Sequence, residues 1–197
     1  MLGDLSRKYE SGDRGPGTVA HTDGDAGGAS YGTYQLSSAA GTLQEFLGWM
    51  LDRPRYAEFS QRLMGPNIGG EAFDGAWRQC AADFPDRFGE AQHAYIEDNF
   101  YWPAVRALQQ LDFNPLERSE AIRQVVWSAA VQYGPGYVAE LLQTAGEGEP
   151  AAIDDVTLIR NIYVVRASDE WTAGSPSLRP GLRARFENEC NDALGMV

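Results

Sequence analysis

Lys8-Tyr9-Glu10-Ser11-Gly12, then Gly24-Asp25, Gly27-Gly28 and Ser30-Tyr31-Gly32-Thr33-Tyr34-Gln35-Leu36, are the residues on which the fold of this chain turns. Leu2, Leu5 and Tyr9 stand at i, i+3 and i+7, the spacing of one face of a short helix, and Gly12 ends it. Glu10 thereby falls at the helix C-terminus. From Gly12 to Gly32 there are seven glycines in 21 residues, interleaved with Thr18, Val19 and Tyr31. That pattern predicts an irregular or hairpin-like lobe, where backbone can come close to a ligand.

Beyond Leu36 the periodicity is helical. Leu43, Phe46, Leu47 and Met50 share a face behind a capping box of Thr42 and Glu45. Pro54 suits the first turn of a helix reaching about Met64. Further helices are expected over about 71–82, 86–99 and 102–111, with Pro85 and the segment 65–70 as breaks. Ile122, Val125, Val126, Ala129 and Tyr133 line one face of the most apolar helix, ended by Gly134-Pro135-Gly136 before 137–144 resumes. After a polar loop at 146–150, Asp154 and Asp155 favour the positive start of a helix with Val156, Ile159 and Tyr163. A last helix runs from about Leu178 to about Leu194. The expectation is a mainly α (α+β) chain: one domain over 1–197, with a Gly-rich site lobe at about 10–36 and a helical body at about 37–197. Its start nine residues before Glu10 suggests a domain excised from a larger protein.

Composition removes several functions. With 197 residues, 43% of them hydrophobic, the chain can bury one core. No run of 18 uncharged apolar residues occurs, so no membrane insertion is expected, and charges stand where a signal peptide needs an apolar stretch. A net charge of -12 repels nucleic-acid phosphates. Lys8 is the one lysine, which rules out a nucleotide-binding P-loop. Cys80 and Cys190 read as two free thiols.

The chemistry centres on Glu10. A carboxyl at a helix C-terminus meets the negative end of the dipole, and burial beside tyrosines desolvates it; both favour the protonated form. That form can protonate a leaving glycosidic oxygen. Glycosidases usually add a second carboxylate. Asp25 is preferred because Gly24 and Gly27-Gly28 leave its surroundings open, and Asp23 is the alternative. Gly28-Ala29-Ser30-Tyr31-Gly32 has the Gly-x-Ser-x-Gly spacing, with His93 downstream, but polar residues 21–25 precede it where a serine hydrolase needs a buried strand. Asp23-x-Asp25 with Gly28 begins like a calcium loop, yet Tyr34 stands where the bidentate glutamate belongs. His21, His93, Cys80 and Cys190 lack zinc-ligand spacing, so no metal and no cofactor are expected.

The Glu10-Ser11-Gly12 element followed by Gly32-Thr33-Tyr34-Gln35-Leu36 resembles the signature of lytic transglycosylases and goose-type lysozymes. The run from Lys8 to Leu36 resembles, within the lysozyme-like superfamily, the chitosanase-like and muramidase domains of phage endolysins and type VI secretion effectors. Weaker likeness continues at 99–104, 131–135 and 162–166. The resemblance implies a lysozyme-like two-lobed fold, with a small Gly-rich hairpin lobe, a helical lobe and a sugar-binding cleft. It implies Glu10 as catalytic acid, Asp25 as second acid, and Tyr34 and Gln35 as cleft-lining residues. Tyr31, Tyr101, Gln132 and Tyr133 complete the candidate substrate contacts, each with a packing role as the alternative.

The function implied is peptidoglycan cleavage at the N-acetylmuramic acid to N-acetylglucosamine bond. A lytic transglycosylase using Glu10 alone, a chitosanase, and an inactive glycan-binding domain stand as alternatives. Expected partners are peptidoglycan glycan strands and an immunity protein. Action in the bacterial periplasm or cell wall follows, with delivery by a secretion system or by phage lysis machinery.

Overall fold

The computed structural model describes residues 2–10, 15–21, 28–174 and 176–197. Its elements divide into two compact units, Glu10–Glu97 and Met1–Tyr9 with Asp98–Val197.

The first unit carries strands β1 (Val19–His21), β2 (Ala29–Tyr31) and β3 (Leu36–Ser37), antiparallel in the order β1-β2-β3. It also carries helices α2 (Thr42–Leu51), α3 (Ala57–Leu63), α4 (Glu71–Asp83) and α5 (Pro85–Ile96). The sheet clusters with these four helices. The reason is area: strands of two or three residues bury too little to stand alone. Tyr31 and Leu36 therefore join a core of Phe46, Phe59, Phe73, Trp77 and Phe88. Trp77 is its hub, with ring centroids at 4.8 Å from Phe88 and 5.2 Å from Tyr31.

The capping box is corrected. Gly41, in the left-handed region at φ 84, is the N-cap of α2, and no side chain caps it. The Thr42 hydroxyl instead accepts from Ser37 N at 2.8 Å, and Glu45 accepts from Tyr95 OH at 3.2 Å. Both groups were drawn to partners outside the helix end. The break expected at Pro85 is present: α4 ends at Asp83 and Pro85 is the first residue of α5, which continues into a π-helical turn, Glu97–Tyr101.

In the second unit α1 (Asp4–Glu10) accompanies α6 (Trp102–Gln109), α7 (Glu120–Tyr133), α8 (Pro135–Ala145), α9 (Asp155–Arg166) and α10 (Arg179–Leu194). One face of α7 was expected to be buried, but Ala121, Ile122 and the whole run from Gln124 to Ala130 are buried. Helices α6, α8, α9 and α10 all pack on it. The small residues Ser128, Ala129 and Ala130 make such close packing feasible.

At the centre lies an ion pair. Arg166 and Glu189 are both 0% exposed, with Nη1 3.3 Å from Oε1. Arg166 Nη2 also donates to Gln132 Oε1 at 2.6 Å and to Ser128 Oγ at 3.3 Å, and Ser128 donates to Glu189. The aromatic rings of Tyr163 and Phe186 lie 4.8 and 4.7 Å from the guanidinium carbon. Burial works against the charged guanidinium, but Glu189, Tyr163 and Tyr133 together outweigh it and the Arg166 pKa is raised.

Helix α1 is tied to this unit at both ends. Gly3 N and Leu5 N point to Gln124 Oε1 at 2.9 and 3.4 Å. Lys8 Nζ and Tyr9 OH both donate to Asp192 Oδ2, at 2.5 and 2.6 Å. Hydrogen bonds from Lys8 and then Tyr9 hold the Asp192 carboxyl below the usual range. Asp155 is lowered as well: burial pushes it up, but hydrogen bonds from Ser119 and Arg118, with the attraction of Arg118, outweigh that.

Gly3 has φ +89, and a Cβ there would lie 2.9 Å from the Trp127 ring. Gly3→Ala is expected to destabilise by about 1–3 kcal/mol, seen as a lower Tm in thermal unfolding. Gly136→Ala, where a Cβ meets nothing within 4 Å, should leave Tm within about 2 °C of wild type. The lowered Asp155 and Asp192 contribute stability above the unfolded aspartate pKa of about 3.9 and lose it as pH falls through their folded values. Tm followed from pH 6 downward should therefore fall steeply below about pH 4, and less steeply in Asp155→Asn and Asp192→Asn, each compared with its own value at pH 6.

Candidate functional site

Glu10 is the last residue of α1, so its backbone sits at the negative end of that helix as the sequence predicts. Its side chain, and both Asp23 and Asp25, lie outside the described residues.

Strand β1 ends at His21, whose Nε2 is 2.6 Å from Asp74 Oδ2 on α4. Asp74 also accepts from Tyr31 OH at 2.6 Å, and Tyr31 OH accepts from Gly69 N at 3.1 Å. Burial pushes the Asp74 carboxyl up, but the hydrogen bonds from Tyr31 and His21 and the attraction of His21 leave it lowered. Burial, followed by its bond to Asp74, raises the Tyr31 phenol. The cluster ties the end of β1 to α4.

Tyr31, for which sugar contact and packing both stood open, lies in the core of its unit. It is 0% exposed, set against Phe73 and Trp77, with its hydroxyl spent on Asp74. Its neighbours in the turn from β2 to β3 retain some surface. Tyr34 is 7% exposed and its hydroxyl lies 2.9 Å from His93 Nδ1. Gln35 holds a left-handed φ of 51, and its Nε2 donates to Gly32 O at 2.8 Å.

Gln92, fully buried on α5, clamps this turn: Oε1 accepts from Thr33 N at 3.0 Å and Nε2 donates to Pro16 O at 3.0 Å. A Cβ at Gly32 would lie 2.3 Å from Gln92 Oε1, so glycine is required there by both space and its φ of +75. Ser30 sits within β2, paired with Ser37 and Ala20, rather than at a strand-to-helix elbow.

In the second unit Tyr101, for which packing was the alternative to sugar contact, is 1% exposed, with its ring on Trp127 at 5.4 Å, and it borders a cavity of about 350 Å³ with Trp102 and Leu116. Gln132 and Tyr133 stand elsewhere. Both line a cavity of about 520 Å³ together with Tyr137 and Glu140 of α8, and Glu170, Trp171 and Gly174. The Tyr133 and Trp171 rings meet edge to face at 5.1 Å.

The candidate residues thus fall into separate groups. Tyr31, Tyr34 and Gln35 belong to one short strand and its turn, while Gln132 and Tyr133 share a cavity wall on α7. Sequence reasoning missed His21 with Asp74, Gln92, Arg166 and Trp171. Asp74 lies 53 residues from His21, and Gln92 lies 59 from Thr33, and no one-dimensional spacing signals pairs that far apart. A glutamine and an arginine inside otherwise apolar helical faces were the available sign.

Comparison with known proteins agrees over nearly the full length. The family described as type VI secretion system spike protein VgrG3-like, C-terminal, matches residues 2–190. The type VI secretion system spike protein VgrG3 of Vibrio cholerae serotype O1 is 29% identical over 189 residues, 95% of this chain and 18% of that protein. The chain therefore spans less than a fifth of its curated relative. Among solved structures, the native chitosanase of Bacillus subtilis MY002 superposes with a TM-score of 0.67 at 20% identity, covering 96% of this chain and 85% of that one. The Gynuella sunshinyii GH46 chitosanase complexed with chitotetraose gives 0.59 at 17% identity, covering 98% and 81%. The fold is the mainly helical lysozyme-like one, and the chain belongs to the family of VgrG3-like C-terminal domains of type VI secretion spike proteins.

Proposed function

We propose that this domain is a glycoside hydrolase of the lysozyme type that cuts the bond between N-acetylmuramic acid and N-acetylglucosamine in peptidoglycan. The observation that carries the proposal is the position of Glu10, the final residue of a helix anchored through Gln124 at one end and Asp192 at the other. A general acid must be held within a few tenths of an ångström of its proton acceptor. A helix clamped at both ends supplies that rigidity, and its negative end favours a protonated carboxyl.

In this reading Glu10 donates its proton to the leaving oxygen. Asp25, with Asp23 as the alternative, activates water or stabilises the oxocarbenium-like transition state. Tyr34 and Gln35 border the sugar. Spike-protein kinship supports delivery by type VI secretion into the periplasm of a rival, with an immunity protein guarding the producer. No helix among the described residues is long and apolar enough to cross a membrane.

A second reading, chitosanase, has its own support. The solved neighbours are chitosanases, one of them complexed with 6 GlcN, and a net charge of -12 suits a cationic polymer. Release of reducing ends from purified peptidoglycan and from chitosan, each titrated separately, discriminates them. The muramidase reading expects turnover on peptidoglycan at least about 10²-fold above chitosan, and the reverse preference would replace it with the second reading.

Glu10→Gln should reduce peptidoglycan hydrolysis by about 10²–10⁴-fold with Tm unchanged. Asp25→Asn should do the same if the domain is a two-carboxylate hydrolase. Loss in Glu10→Gln alone, with 1,6-anhydro ends in the mass spectra of the products, would identify a lytic transglycosylase instead. Full activity of Glu10→Gln would refute the catalytic assignment.

A further inference from the structure

The cavity beside α8 has a lining that the proposed chemistry at Glu10 does not use. Three aromatic side chains border it: Tyr133 and Trp171, edge to face at 5.1 Å, and Tyr137, 59% exposed. Its charged lining groups are Glu140 and Glu170, both exposed and both acidic. Neither forms an ion pair or side-chain hydrogen bond among the described residues.

The nearby cations are already committed. Arg179 and Arg183 both pair with Asp169 Oδ1, at 3.1 and 2.9 Å, leaving the adjacent Glu170 without them. Arg166 lies fully buried behind the wall, neutralised by Glu189, and occupies the Gln132 carbonyl oxygen at 2.6 Å. What Gln132 keeps for a ligand is its NH2 donor.

Two carboxylates and three aromatic side chains lining one cavity form the chemistry that recognises a cation carried on a body with apolar faces. Carboxylates pair with the charge and aromatic faces attract it further. An anionic group would be repelled by the same lining. At about 520 Å³ the space lies within the ordinary range for a small-molecule or oligomer subsite.

We infer that this cavity is a binding subsite for a primary ammonium group borne on a saccharide or on a short peptide attached to one. Two sources share that chemistry: the free amine of a de-N-acetylated amino sugar, and the free side-chain amine of a diaminopimelate in a peptidoglycan stem peptide. That the ligand is part of a glycan polymer rests on the function proposed above, while the preference for an ammonium group rests on the lining alone.

The test is calorimetric titration of the full chain carrying Glu10→Gln, which keeps the probes intact. The probes are glucosamine hexamer, N-acetylglucosamine hexamer, and a diaminopimelate-ended disaccharide tripeptide with its amine free or acetylated. Glu140→Gln with Glu170→Gln removes the cavity charges at exposed positions. Glu147→Gln with Glu149→Gln, on the exposed loop after α8, removes equal charge elsewhere.

The cavity pair is expected to weaken an amine-bearing probe by about tenfold, while the loop pair leaves it unchanged and the acetylated counterpart binds weakly throughout. An effect on the glucosamine hexamer assigns the amino sugar, and an effect on the tripeptide assigns the stem amine. Equal affinity in the cavity pair and its parent for both probes, or equal weakening by the loop pair, overturns the inference. Neither result depends on turnover, so activity surviving in Glu10→Gln would remove the proposed mechanism and leave this titration to be judged on its own.

Discussion

The ion pair of Arg166 and Glu189 is the constraint from which the second unit is organised. Both groups are fully buried, and removing either partner from such a pair costs about 3–5 kcal/mol because the other charge is left stranded in a poor solvent. Two neighbours from α7, Ser128 and Gln132, bond to the pair, and aromatic rings from α7, α9 and α10 lie around the guanidinium. Three helices therefore meet in a single register. An apolar core of the same volume would tolerate several registers, whereas a charge pair with directional partners tolerates few.

That register propagates to α1. Gln124 stands one turn before Ser128 on α7, and Asp192 stands three residues after Glu189 on α10. The helices aligned by the buried pair therefore present the two groups that clamp the helix ending at Glu10. A seven-residue helix is too short to hold itself together in water. Its order comes from these anchors. The first unit uses the same device on its glycine-rich strands: Gln92 and Asp74 reach out of helices to satisfy backbone and side-chain groups that the short sheet leaves exposed.

The periodic parts of the fold were legible from residues alone. Helices at 71–83, 120–133 and 155–166 stand close to the expected limits, because apolar spacing and helix-start residues such as Asp154 act within a few positions. The glycine-dense run before Leu36 announced short strands and turns. Where local signals competed with distant partners they misled. Thr42 and Glu45 had the spacing of a capping box but bond to Ser37 and Tyr95. For Tyr31 and Tyr101 sequence alone left packing and ligand contact both open, and both rings are buried.

By itself, then, the sequence determined the class of fold, the helix that ends at Glu10 and the resemblance centred on it, since all three depend on neighbours in the chain. Only the tertiary structure decided which polar side chains are buried supports and which line a cavity. His21 with Asp74, Thr33 with Gln92 and Arg166 with Glu189 are separated by 53, 59 and 23 residues. Such pairs arise because a buried polar group must find a partner wherever the packed chain offers one, and sequence separation places no limit on where that is.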